Sequence, residues 1–237
     1  MTGDRPNSSP ALLPVEGWTR RPAPPHIVLS GRYCRCEPLD AARHGDDLYQ
    51  AFSATDPASW RYLFHEPPAS EVEFRSWLAE TVSGADPYYA VVDSVSGRAG
   101  GVWAYLRVEP AHGSIEIGSV HYADILKRTP VTTEATYLAM RHVFDELGYR
   151  RFEWKCNALN EPSRRAAARF GFQFEGVFRQ HMVVKGHNRD TAWFSILDHE
   201  WLALRRAFEA WLSPDNFTPD GRQRDSLARL ISAALRA

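Results

Sequence analysis

SIEIGSVHYADILKRTPVTTEATYLAMRHVFDELGYRRFEWKCNALNEPSRRAAARFGFQFEG, residues 114–176, is the stretch on which the fold turns. Residues 114–122 mix β-branched and aromatic side chains in a strand pattern. The polar segment ADILKRTPVT (123–132) follows, and a helix opens at TTEA. From Thr133 to Leu147 the period becomes helical: Tyr137, Met140, Phe144 and Leu147 share one stripe, and Gly148 supplies the C-terminal stop. RRFEWKC (150–156) is again a strand and, because a helix precedes it, is expected to run parallel to 114–122. Asn160 then caps a short helix, EPSRRAAARF, which tolerates Pro162 in its first turn and ends at Gly171. A helix N-terminus after a strand offers free N–H groups and a positive dipole end, and Lys127 and Arg128 add charge. That suits a pyrophosphate, although an ordinary strand–loop–helix link would read the same way.

Upstream, YYAVVD (88–93), GVWAYLRV (101–108) and the strand at 114 are separated by Gly- and Pro-bearing turns, the pattern of an antiparallel meander. LSGRYCRCEP (29–38) predicts a first strand, and Asp40 a cap for a helix carrying Leu48, Tyr49 and Phe52. Ser70-Glu-Val-Glu73 is a capping box ahead of Phe74, Trp77 and Leu78. Downstream, FQFEGVFRQHMVV and DTAWFSIL flank KGHNR (185–189) as a hairpin, and helices are expected over 198–212 and about 224–236. The fold class is therefore mixed α/β, without internal repeats. Residues 1–28 hold six prolines and read as an arm, 29–200 as the domain, and 201–237 as a helical extension. Leu227, Leu230, Ile231, Ala234 and Leu235 form an apolar stripe on that extension. It is expected to fold back over its own domain, giving a monomer, rather than to dock on a second subunit.

The 237 residues suffice for a real core, and 44% hydrophobic with 24% charged residues is the composition of a soluble globular protein. Lys and Arg number 28 against 29 Asp and Glu, a balance that argues against a nucleic-acid partner. No apolar run approaches the roughly 18 residues of a membrane span. No secretory signal is evident at the start, so the expected location is cytoplasmic, with no membrane partner. Three cysteines make no disulfide framework, and neither they nor the nine histidines show ligand spacing, so no metal is expected.

Thr133-Glu134-Ala135, Leu147-Gly148-Tyr149-Arg150, Asn160 with Ser163, Gly171-Phe172 and Glu175-Gly176 occur in an order that resembles the GNAT acyltransferase superfamily. The branch it resembles is that of the ribosomal-protein N-terminal acetyltransferases, and the likeness covers roughly residues 29–200. It implies a central, mostly antiparallel sheet with two splayed parallel strands, acetyl-CoA as cosubstrate and a primary amine as acceptor. The amine would be a protein N-terminus, a polyamine or an amino sugar. Carried over by position, the resemblance places pantetheine beside Ser119, Val120 and Asn160. It places the pyrophosphate on Arg128, Thr129, Val131, Thr132 and Thr133.

The chemistry requires an ammonium to lose its proton, an oxyanion to be stabilised and a thiolate to gain a proton. Glu116, in mid-strand at the expected split, is the candidate base, directly or through a water; its alternative is a solvent-facing or arginine-paired strand residue. The tyrosine that many relatives use for the thiolate is Ala167 here. Ser163 matches the serine of the ribosomal-protein branch, which makes it the candidate acid and a further cofactor contact; its alternative is helix capping. The phosphate loop departs from the family's glycine-rich pattern, with Arg128 and Pro130 where glycines stand, and Pro130 has no N–H to give. A clamp formed by Arg128 would compensate for that loss; a degenerate CoA- or protein-binding domain without turnover is the alternative. His121 and His181 have suitable intrinsic pKa values, and Trp103 and Trp154 are candidate pocket walls. Cys156 has no His or Asp spacing to make it a nucleophile.

Overall fold

The computed structural model describes residues 14–236. Its strands are β1 (Leu29–Ser30), β2 (Cys34–Pro38), β3 (Tyr88–Asp93), β4 (Ala99–Glu109), β5 (Ser114–Tyr122), β6 (Arg151–Asn157), β7 (Gln173–Val184) and β8 (His187–Leu197). The helices are α1 (Ala41–Ser53), α2 (Glu71–Ser83), α3 (Pro130–Arg141), α4 (Glu161–Arg169), α5 (Asp198–Leu212) and α6 (Leu227–Ala234). One sheet contains all eight strands in the order β1-β2-β3-β4-β5-β6-β8-β7. Every neighbouring pair is antiparallel except β5 and β6.

Both faces of the sheet are covered, so its central strands are apolar on both sides. Tyr89, Val91, Trp103, Tyr105, Ile115 and Ile117 pack towards α3 and α5. The alternate residues Ala90, Val92 and Val102 pack towards α1 and α2. The caps read from the sequence are formed: Asp40 accepts from the Arg43 N–H, Ser70 from Glu73 and Asn160 from Ser163.

Three segments differ from the reading of the sequence. The first strand is broken into β1 and β2 by a turn whose amides at Arg32, Tyr33 and Cys34 all donate to the buried Glu134 carboxylate, at 2.6–2.8 Å. An added Cβ at Gly31 would overlap that carboxylate. Helix α3 begins at Pro130 rather than Thr133, because proline suits the first helical position, where no N–H is needed. A π-helical turn over His142–Glu146 continues it to the Gly148 stop, where φ is +67°. The hairpin turn is only Lys185-Gly186, both at positive φ, which draws His187–Arg189 into β8.

The ends of the chain pack on this frame. Of the proline-rich arm, residues 1–13 lie outside the described residues; the rest lies along the domain. Trp18 Nε1 donates to the Ala111 carbonyl, and the Tyr89 and Tyr149 hydroxyls donate to Pro25 and Pro22 carbonyls. At the other end α6 folds back on α5, burying Leu227 and Ile231 in the same core as Trp201, Leu204, Phe208 and Trp211. Residues 201–236 thus share the core of the domain that precedes them. Among the described residues, no helix is long and apolar enough to cross a membrane.

Candidate active site

Parallel pairing of β5 with β6 runs from Ser114↔Arg151 to Ile117↔Trp154 and stops. Beyond it the two strands diverge, leaving their facing backbone edges unpaired inside the sheet. The cleft between them is lined by Glu116, Gly118, Ser119, Val120, Trp154, Lys155, Cys156, Asn160 and Ser163, with Tyr62 and Phe64 from the loop before α2. Ser119 sits at the divergence with φ +51°, a left-handed position that costs a serine conformational energy. The Tyr88 hydroxyl donates to its Oγ at 2.9 Å.

A second cavity, of about 590 Å³, lies at the N-terminus of α3. Arg128, Thr129, Thr132 and Thr133 line it together with Arg169, Trp211, Phe217 and Arg222. Thr129 is the N-cap residue but turns its hydroxyl to the Leu126 carbonyl, so no side chain caps the first turn of α3. Val131 directs its side chain into the core and can contribute only its backbone. Arg169 donates to Thr133 Oγ1 at 3.0 Å, lies against Phe170 and Trp211, and has no carboxylate within 4 Å among the described residues. Arg128 is likewise unpaired, with φ +63°.

The expected residues are therefore divided between two places: Glu116, Ser119, Val120, Asn160 and Ser163 in the cleft, and Arg128, Thr129, Thr132 and Thr133 at the helix end. Glu116 is the single carboxylate among the cleft's lining residues. It is buried and ion-paired to Arg107 at 2.5 Å and to Lys155 at 2.9 Å. Lys155 also contacts Glu153 at 2.6 Å and the Trp193 ring. Ser163 Oγ accepts the Trp154 indole N–H at 3.0 Å, which leaves its own proton free to be donated.

Other candidates lie elsewhere. His121 is stacked on Phe52 and against Trp60, and burial pushes its pKa down to about 4. His181 is exposed and bonded to Thr191. Trp103 is fully buried and stacks on Tyr89. Cys156 does reach the cleft, but burial pushes its thiol pKa up, the wrong direction for a nucleophile. Arg169, Lys155 and Arg189 were not anticipated; only their sites in the fold, not their spacing, mark them. Among the described residues no three His, Cys, Asp or Glu side chains converge as a metal site.

A sheet opened between the one parallel pair of its described strands, with an uncapped helix end on the same domain, is an architecture suited to an acyl-CoA-type transferase. The acetyltransferase (GNAT) domain model matches residues 37–173. No curated protein matches the chain. Among solved structures, a GCN5-related N-acetyltransferase from Brucella melitensis is 50% identical, with 92% of this chain and 100% of that one covered at a TM-score of 0.90. A GNAT-family protein from Chromobacterium violaceum is 42% identical over 83% of this chain and 99% of its own, at 0.76. An acetyl transferase from Salmonella typhimurium that modifies the N-terminal serine of a 50S ribosomal-subunit protein shares the fold at 19% identity. Its TM-score is 0.62, with 72% of this chain and 99% of that one covered. The chain belongs to the GNAT acetyltransferase family and is an acyltransferase.

GNAT domains use acetyl-CoA as cosubstrate, and the residues present suit it. The uncapped α3 N-terminus and the unpaired Arg128 and Arg169 offer amides and charge to a pyrophosphate. The open edges of β5 and β6 offer backbone groups to an extended pantetheine.

Proposed function

We propose that this enzyme acetylates a primary amine by direct attack in the β5–β6 cleft. The observation that carries the reading is the end of pairing after Ile117↔Trp154, with Glu116, Ser119, Asn160 and Ser163 gathered around the opening. The bound cosubstrate supplies a thioester carbonyl as electrophile. The amine nitrogen forms the new C–N bond as the C–S bond breaks, the ammonium proton having first been lost. Ser163 is placed by α4 and oriented by Trp154 to give its proton to the departing thiolate. Glu116 takes the amine's proton through a water. Arg107 and Lys155 hold its carboxylate in place at the edge of the cleft. Asn160 caps α4 and presents the rest of its amide to the pantetheine.

The acceptor is a small-molecule amine or a protein N-terminus, and release of free thiol with a panel of amines identifies it. Ser163→Ala and Glu116→Gln are expected to keep the fold and to lower turnover at least about tenfold, as loss of an acid or base does. Wild-type rates in both variants would show that solvent handles both protons.

A further inference from the structure

Arg189 leaves the turn of the β7–β8 hairpin and is 7% exposed, yet its guanidinium makes no ion pair among the described residues. Its Nε donates to Thr191 Oγ1 at 3.3 Å and its guanidinium lies 4.9 Å from the Phe64 ring centre. Among the described residues no carboxylate comes within 4 Å of it, and neither Nη1 nor Nη2 has a hydrogen-bond partner. Neither nitrogen is sealed from solvent without a partner, so both reach the space in front of them. A largely buried cation without an ion pair is costly, and an anionic group on a ligand in that space would offset the cost.

That space is where the reaction is placed. Arg189 lines the cleft with Ser163 and Asn157, and it also lines an adjoining outer cavity of about 540 Å³. In the outer cavity Lys185 is paired with Glu66, the only acidic residue in its wall, which leaves Arg61 and Arg189 unpaired. Glu116, the one carboxylate in the cleft, is already held by Arg107 and Lys155. Phe64 lies against the guanidinium and Thr191 takes its Nε–H, which leaves the two Nη groups as a pair of N–H donors. That fork fits a carboxylate in a bidentate pair.

We propose that Arg189 binds the carboxylate of the acceptor, which is an amino acid or short peptide with a free carboxyl group. The inference rests on the cleft being the site of acyl transfer, and it narrows the acceptor from amines in general to amines that carry an acid. Arg189 is then a specificity residue: it orients the acceptor without touching the reacting atoms.

The test uses matched pairs: glycine, L-serine and glycylglycine against glycinamide, L-serinamide and glycylglycinamide. With acetyl-CoA and full-length enzyme, at least one acid should release thiol with kcat/KM at least tenfold above its amide. Arg189→Met should abolish that preference mainly through KM, and Arg189→Lys should restore part of it. An arginine serving only to hold the fold would lower the melting temperature when replaced; here Arg189→Met should hold or raise it. Equal use of acid and amide by the wild-type enzyme, or a preference that survives Arg189→Met, would overturn the proposal. If none of these compounds releases thiol while an amine without a carboxyl group does, the proposal fails but acyl transfer stands; if no amine at all does, calorimetric titration of the same pairs still decides the arginine. Binding of an acid but not its amide, lost in Arg189→Met, supports it; no acid-specific binding refutes it.

Discussion

Arg128 adopts, at φ +63°, the backbone conformation that a glycine takes without cost. At this position the loop thus has a backbone shape suited to glycine and carries a cation as well. Arg169 meets it from α4 across the same cavity. Replacing either by alanine should weaken acetyl-CoA binding by roughly 1–3 kcal/mol, the range for a charge-assisted hydrogen bond, as measured by isothermal titration. Arg128→Gly separates shape from charge, since it keeps the turn and loses only the cation; an affinity equal to wild type would mean that the side chain faces solvent. Glu134 shows how a residue can be noticed for one reason and matter for another. In the sequence it marks the opening of a helix, whereas in the fold its carboxylate holds the β1–β2 turn through three amides.

Elements were legible where the signal is local. The stop at Gly148 and the caps at Asp40, Ser70 and Asn160 depend only on neighbours along the chain, and helix α5 follows from its own apolar stripe. Glu116, Ser119, Val120, Asn160 and Ser163, named from separate stretches of the sequence, line one cleft. What escaped depends on partners distant in sequence. The pairing of Glu116 with Lys155 requires two strands to be set side by side, and Arg189 reaches the cleft only because Lys185-Gly186 makes so short a turn. At Gly171 the local and the distant coincide. It ends α4 at φ +90°, and a Cβ there would come within 2.7 Å of Leu204 Cδ2 on α5. Gly171→Ala should therefore cost about 2 kcal/mol or more, read from denaturant unfolding, because strain and overlap add. A loss below 0.5 kcal/mol would mean that α5 moves aside freely.

Across the whole molecule, acid is the condition that should expose its weak point. His121 titrates near 6.5 when unfolded but only at about 4 in the folded protein, because burial between aromatic rings disfavours its charge. Between those values the unfolded chain binds a proton that the folded one refuses. Stability is then complete above about pH 6.5 and falls as pH drops towards 4, by about 3 kcal/mol from this group. His142 is depressed in the same direction, again by burial. Thermal melts of wild type and His121→Gln from pH 7 to 4 should converge as pH falls; a constant gap would show that His121 does not titrate there. The opening between β5 and β6 has a different outcome. The two halves of the sheet are stitched to each other along four residue pairs, so whatever fills the seam becomes part of the architecture. A ligand at a hundred times its dissociation constant adds about 2.7 kcal/mol to folding. A weakened allele of this enzyme would thus persist in a well-fed cell and be degraded in a starved one, its abundance following the supply of the metabolite it consumes.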